Sequence, residues 1–163
     1  NYCIVRYARE QERYRSISSI INIAKRYEEL GFREIVLSGI NIAHYRDNNA
    51  SLKELILQLL KHTNLYIRLS SLEWERLPFS FLDIFYEKRI MRHIHFPLQS
   101  ASPKVLKDMN RFSNVSKLSR LIEKIYAIDE DIAIGMDIIV GYPTEEKKDF
   151  EATIKFLLSH NIA

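Results

Sequence analysis

Apolar residues recur in two rhythms along this chain. From position 17, Ile17, Ile20, Ile21, Ala24 and Tyr27 fall at helical spacing, Leu30 follows one turn on, and Gly31 is placed to cap the C-terminus. The short apolar run REIVLSG then reads as a buried strand closed by Gly39. SLKELILQLLKH is expected to be a helix, with Ser51 as N-cap and Glu54 three residues on forming a capping box. LYIRLSSLE reads as a second strand, FSFLDIFYEKR as a helix after Pro78, and HIHFPLQS as a third strand. SPKVLKDMNR opens with Ser102 as N-cap and Pro103 in the first helical position. VSKLSRLIEKIYAI is a further helix, DIAIGMDIIVG a long fourth strand, and EEKKDFEATIKFLLSH the last helix. The predicted order is loop, α, β, α, β, α, β, α, α, β, α.

Apolar strands alternating with amphipathic helices imply a parallel sheet with its helices outside. The expected fold class is α/β, a partial (β/α) barrel, with a doubly wound sheet as the alternative. The chain begins in a loop with no strand before it and stops at NIA, where another strand would begin. A barrel cut at both ends accounts for this. In either architecture the functional face lies at the carboxyl ends of the strands. The segments to inspect are LSGINIAHY, LSSLEWE, PLQSASP and GYPTEE, with Cys3 expected near the same rim.

Strand residues alternate faces. In HIHFPLQ, His93, His95 and Gln99 share one face, and Ile94, Phe96 and Leu98 the other. In DIAIGMDIIVG, Gly135, Asp137 and Gly141 stand opposite Ile134, Met136, Ile138 and Val140. One side of the sheet is therefore polar or small, and the other apolar. Asp137 is the sharpest feature, because a carboxylate within an apolar strand needs a partner or a ligand. A structural ion pair and a binding role both satisfy that need. His93 and His95 lack the accompanying Cys or His of a zinc site, which favours a hydrogen-bonded lining. Gly39 and Gly141 suit turns or a close backbone approach. Val105, Leu106 and Met109 fall at core spacing.

Composition changes this picture little. The 163 residues are 47% hydrophobic and 28% charged, an ordinary globular balance. No stretch approaches a membrane span and no signal peptide is visible, so no membrane partner is expected. One cysteine forms no internal disulfide, and the chain is expected in a reducing compartment, the cytoplasm. The net charge of +3 is only mildly basic. The local excess is more telling: Arg6, Arg9, Arg13 and Arg15 crowd behind Cys3 against Glu10 and Glu12. These residues alone yield an α/β domain with a polar-lined mouth, and no reaction.

Several blocks, taken in order, resemble the radical S-adenosylmethionine (SAM) methylthiotransferases. NYCIVRYARE is similar to the end of that family's CxxxCxxC cluster loop, and QERYRS to the segment beyond it. EIVLSGINIAHY, IRLSSLE, HIHFPLQSASPKVLKDMNR and DIAIGMDIIVGYPTE follow in the family's order and spacing, covering nearly the whole chain. EIVLSGIN and IRLSSLE look most like the branch that inserts a methylthio group at C2 of N6-threonylcarbamoyladenosine in tRNA. The isopentenyladenosine branch and the branch modifying a ribosomal protein are the alternatives. A degenerate barrel that only binds RNA or a partner is the non-enzyme alternative.

The resemblance implies one radical SAM core domain over residues 1–163, with a first strand missing upstream and a last strand downstream. It implies a [4Fe–4S] cluster held by three thiolates, a second [4Fe–4S] cluster in a separate N-terminal domain, and SAM as co-substrate. Cys3 matches the third cluster cysteine, and Tyr2 the aromatic position before it. Gly39, Asn41, Ser70, Gln99, Asp137, Gly141 and Pro143 match positions around SAM and the substrate base. Arg9, Arg13 and Arg15 are expected to face the cluster or RNA phosphate. The implied partners are tRNA and an electron donor such as a flavodoxin or ferredoxin, and a monomer is expected. Arg6, Glu10, Tyr14 and Ala101 depart from the family's pattern. The motif spacing places a second cysteine immediately before Asn1. One thiolate holds no such cluster, so these 163 residues alone are expected to be inactive.

Overall fold

The computed structural model describes residues 3–8, 11–111 and 113–163. A short helix, α1 (Val5–Ala8), stands where a loop was expected. Helix α2 (Ile17–Glu29) follows, capped by the Ser16 hydroxyl, which accepts from the Ser19 amide. Gly31 lies just past its end at φ 91°, a left-handed turn that glycine takes without strain. Strand β1 (Glu34–Leu37) leads to an unexpected hairpin of β2 (Arg46–Asp47) and β3 (Ala50–Ser51). The hairpin turns on Asn48 at φ 53°, a conformation asparagine tolerates.

Helix α3 (Leu52–His62) starts with the expected Ser51–Glu54 capping box. Strand β4 (Tyr66–Leu69) follows. The segment expected as an α-helix after Pro78 is instead a 3₁₀ helix, Phe79–Tyr86. Its aromatic-rich sequence has weak α-propensity, and its buried Phe81, Leu82, Ile84 and Phe85 wedge between neighbouring elements. Strand β5 (His93–Gln99), helix α4 (Pro103–Asp108), helix α5 (Val115–Ile128), strand β6 (Ala133–Ile138) and helix α6 (Lys147–Ser159) complete the chain. β6 is shorter than its apolar run suggested.

β1 pairs in parallel with β4, Glu34 opposite Tyr66 and Leu37 opposite Leu69. β5 pairs in parallel with β6, His93 opposite Ala133. The two pairs meet through the bridge Ile67–Ile90 and the 2.8 Å bond from Leu72 N to His95 O. The spatial order is thus β1-β4-β5-β6, an open parallel array rather than a closed barrel. Ile67, Leu69, Ile94, Phe96 and Ile134 pack one face against Ile56, Leu59, Leu118, Leu121 and Ile125 of α3 and α5. Burying each such side chain is worth about 1.5–3 kcal/mol, so this face fixes the register of every strand. The opposite face, carrying Arg68, His93, His95 and Asp137, remains open. Val105, Leu106 and Met109 are buried as the spacing implied.

Candidate functional site

The open face and the loops beyond the carboxyl ends of the strands hold most of the residues singled out from sequence. Tyr2 and Arg9 lie outside the described residues. Cys3 is an exposed free thiol.

After β1 the chain turns tightly. A β-carbon at Gly39 would lie 2.9 Å from Ile42 Cγ2, so only glycine fits the turn as it stands. The turn presents Asn41, whose Nδ2 donates to Glu73 Oε2 at 2.6 Å while its Oδ1 is buried with no hydrogen-bond partner. Ser70, following β4, ties its amide to Leu37 O and leaves its hydroxyl buried and unpartnered. Asn41 and Ser70 thus each keep a buried, unpartnered side-chain oxygen in the loops that follow β1 and β4.

His44 joins this group. Its Nδ1 lies 3.3 Å from Glu12 Oε1 and its Nε2 3.9 Å from Glu73 Oε2. Glu12 belongs to the loop behind Cys3, and its carboxyl is held below the usual range by hydrogen bonds from Tyr14 and His44. The same carboxylate raises the Tyr14 hydroxyl. Tyr45 Oη donates to Arg15 O at 2.8 Å, and Tyr14 packs edge-on to Tyr45. Tyr14, a departure from the family's pattern, is therefore built into this anchorage. Arg13 and Arg15 point to solvent on the anchored loop.

Farther along the array, Arg68 pairs with Glu34 at 2.7 Å. Burial, with Arg68 and His95 nearby, pushes the neighbouring His93 imidazole below its usual pKa. His95 is hydrogen-bonded through Nδ1 to Ser71 Oγ at 2.8 Å, and its Nε2 lies 3.5 Å from Asp137 Oδ1. Asp137 thus lies beside an imidazole nitrogen while its side chain stays 61% exposed.

Gln99 corrects the simple alternation. The β5–β6 register slips between Phe96 and Gln99, and Gln99 sits at φ 69°, buried, with its carbonyl accepting from Ile139 N. A left-handed residue ends the two-residue repeat. Beyond it, Ser100, Ala101 and Ser102 turn toward α6. Ala101 N donates to Thr153 Oγ1 at 3.0 Å, and Ser102 Oγ to Asp149 Oδ1 at 2.6 Å. Ala101, another departure, is itself buried here. Gly141 does not share a strand face with Asp137. It lies past β6 at φ 75°, its amide donating to Glu145 Oε2 at 2.7 Å, and Pro143 is exposed in the following turn.

Sequence reasoning missed Glu12, His44, Ser71 and Glu73 as working parts. Each is a lone polar residue outside the α-helices and strands, His44 closing a 3₁₀ turn (Ile42–His44), and its partner is 24 to 32 positions away.

The donor sets differ in what they can hold. A protonated amine suits the acceptors Asn41 Oδ1, Ser70 Oγ and the Glu73 carboxylate, so these residues fit the amino end of an amino-acid ligand such as SAM. Among the described residues no three His, Cys, Asp or Glu side chains converge as metal ligands, so Cys3 does not by itself fit an iron–sulfur cluster. No described helix is long and apolar enough to cross a membrane.

Residues 1–157 match the model of the radical SAM superfamily. The chain is 37% identical over 158 residues to the tRNA-2-methylthio-N(6)-dimethylallyladenosine synthase of Thermodesulfovibrio yellowstonii, covering 96% of this chain and 37% of the relative. It is 36% identical over 163 residues to the threonylcarbamoyladenosine tRNA methylthiotransferase MtaB of Thermotoga maritima, covering 96% and 37%. It is 32% identical over 159 residues to the corresponding Aquifex aeolicus protein, covering 96% and 39%. The chain therefore spans well under half the length of these relatives.

Proposed function

The chain belongs to the radical SAM superfamily, and from that premise we propose that it is the SAM-binding core of a tRNA methylthiotransferase acting on an N6-modified adenosine. The observation that carries this reading is the similarity to such enzymes along 96% of the chain. The IRLSSLE and EIVLSGIN segments favour threonylcarbamoyladenosine as the substrate. The relative at 37% identity, named for dimethylallyladenosine, favours a second reading with that base.

When bound, a [4Fe–4S] cluster together with SAM supplies one-electron chemistry at an unactivated carbon. This chain's own residues have three tasks around it. Asn41, Ser70 and Glu73 receive the ammonium of SAM. The open polar face of the strands orients the ligand. Arg13 and Arg15 offer positive charge to RNA phosphates. Cys3 would supply one of the thiolates that hold such a cluster. The second cluster, the electron donor, a flavodoxin or ferredoxin, and the cytoplasmic setting belong to the same proposal.

Nucleoside mass spectrometry of tRNA from a strain lacking the gene tests it. The expected result is loss of the methylthio form of threonylcarbamoyladenosine with its precursor accumulating. Loss of the dimethylallyl-type product instead selects the second reading. No change in either nucleoside overturns both.

A further inference from the structure

Helix α5 turns Leu118, Leu121, Ile122 and Ile125 into the core. At about 100° per residue, Lys117, Arg120 and Lys124 fall within a sector of about 60° along its flank, over a length of about 10 Å. Two contacts hold this row in place. The Phe79 ring, itself packed on the core, has Lys124 Nζ 4.5 Å and Arg120 Cζ 5.8 Å from its centroid. Lys117 Nζ donates to Glu75 O at 2.7 Å, which ties its end of the row to the segment following β4. Arg76, the next residue, adds to the hydrogen bonds from Tyr14 and His44 that lower the Glu12 carboxyl. The positive row therefore runs on toward the loop that carries Arg13 and Arg15.

The row has no counter-charge of its own. The Glu75 carboxylate is occupied, its Oε1 accepting from Arg111 Nη2 at 2.8 Å and from the Ser113 hydroxyl. Among the described residues, Arg120 and Lys124 form no ion pair. Glu123, the one acidic residue of α5, lies outside the sector. Burial, with Arg120 alongside, pushes the Lys117 ammonium below its usual pKa against the pull of Glu75. Like charges held side by side on a rigid support repel, and a bound anion relieves that repulsion. The row also lies between the segments HIHFPLQSASPKVLKDMNR and DIAIGMDIIVGYPTE, so no motif of the resemblance claims it. A straight row of cations at helical spacing matches a linear polyanion better than the scattered carboxylates of a compact acidic protein.

We propose that Lys117, Arg120 and Lys124, fixed on Glu75 and Phe79, form a seat for the phosphodiester backbone of the RNA that flanks the modified base. The proposal rests on the tRNA reading above and adds a contact surface on the helix layer, away from the open polar face. Phe79 serves in it as the platform that keeps two cations presented rather than free to swing.

The test is fluorescence anisotropy of labelled bulk bacterial tRNA with the full-length protein, at a series of salt concentrations. Each cation removed from a phosphate contact lowers the slope of log affinity against log salt by about 0.7–0.9. Arg120→Ala with Lys124→Ala is thus expected to lose about 1.4–1.8 from the slope and roughly 25- to 60-fold in affinity at 0.1 M salt. Lys61→Ala with Lys155→Ala removes the same charge from exposed sites on α3 and α6 and is expected to leave both nearly as in wild type. Circular dichroism melting checks that each variant is folded. If the Arg120/Lys124 pair fails to fold, the two single variants are read in its place, each expected to show half of the slope change. Wild-type slope and affinity in the folded Arg120/Lys124 variant overturn the proposal, as does an equal loss in the Lys61/Lys155 control. Unchanged tRNA binding with weakened binding of a flavodoxin also overturns it and assigns the row to a protein partner. Failure of wild type to bind tRNA overturns the tRNA reading along with it.

Discussion

Ser102 shows how one side chain can set a corner of the molecule. Its hydroxyl accepts from Val105 N as the N-cap of α4 and donates to Asp149 Oδ1 in α6. Asp149 also accepts from Glu146 N, closing the capping box of α6. The Ser102 bond, followed by the Glu146 amide, depresses the Asp149 pKa. A carboxyl depressed in the folded state stabilises above its unfolded pKa of about 3.9, and that contribution is lost as pH falls through the folded value. Ser102→Ala is expected to cost about 1–2 kcal/mol near neutral pH, from the lost cap and the lost bond. It should also flatten the fall in stability below about pH 4, because Asp149 then titrates closer to its unfolded value. Urea denaturation at a series of pH values measures both. An unaltered acid slope would show that Ser102 does not set the Asp149 titration.

Among the elements, the loop behind Cys3 depends on contacts made 30 or so residues away. His44 stands between Glu12 and Glu73, Tyr45 Oη reaches Arg15 O, and Ile17 N donates to Asp47 Oδ2 at 2.7 Å. Removing His44 leaves the last two bonds in place. His44→Ala is therefore expected to speed amide hydrogen exchange in residues 11–16 while α2 exchanges as before. Equal exchange across 11–16 would mean the latch contributes nothing. These contacts also explain what could be read from sequence. Asp137 was conspicuous because a carboxylate interrupts an apolar repeat, and its partner His95 lay on the matching face of the next strand. The Ser51 and Ser102 caps were visible because capping is local. His44, Glu73 and the Ser102–Asp149 bond were not, since each joins residues that only the fold brings together. Gln99 was misplaced by strict alternation because a left-handed φ leaves no trace in the pattern of apolar residues. The 3₁₀ segment was misread because its buried positions repeat as an α-helix's would.

For the molecule as a whole, the seam between the two strand pairs is the weak point. β1–β4 and β5–β6 are extended ladders, but between the pairs the described backbone bonds are those around Ile67, whose amide donates to Arg89 O and whose carbonyl accepts from Met91 N, and the one from Leu72 N to His95 O. Arg89 reinforces this seam with its side chain. Its Nη1 donates to Thr63 O at 2.5 Å and to Leu65 O at 3.4 Å, and its Nη2 to Leu60 O. The guanidinium thus takes up carbonyls left open at the end of α3, where a positive charge also complements the helix dipole. Arg89→Ala in the 163-residue chain is expected to cost about 2 kcal/mol, the net worth of a charge-assisted bond plus partly stranded acceptors. An ammonium cannot fan across carbonyls as a planar guanidinium does, so Arg89→Lys should recover less than half of that loss. The urea midpoint decides between geometry and charge: full recovery by lysine would mean that charge at the helix end, and not the fan of bonds, holds the seam. Incomplete recovery would place the continuity of the strand array under the control of a residue outside both ladders.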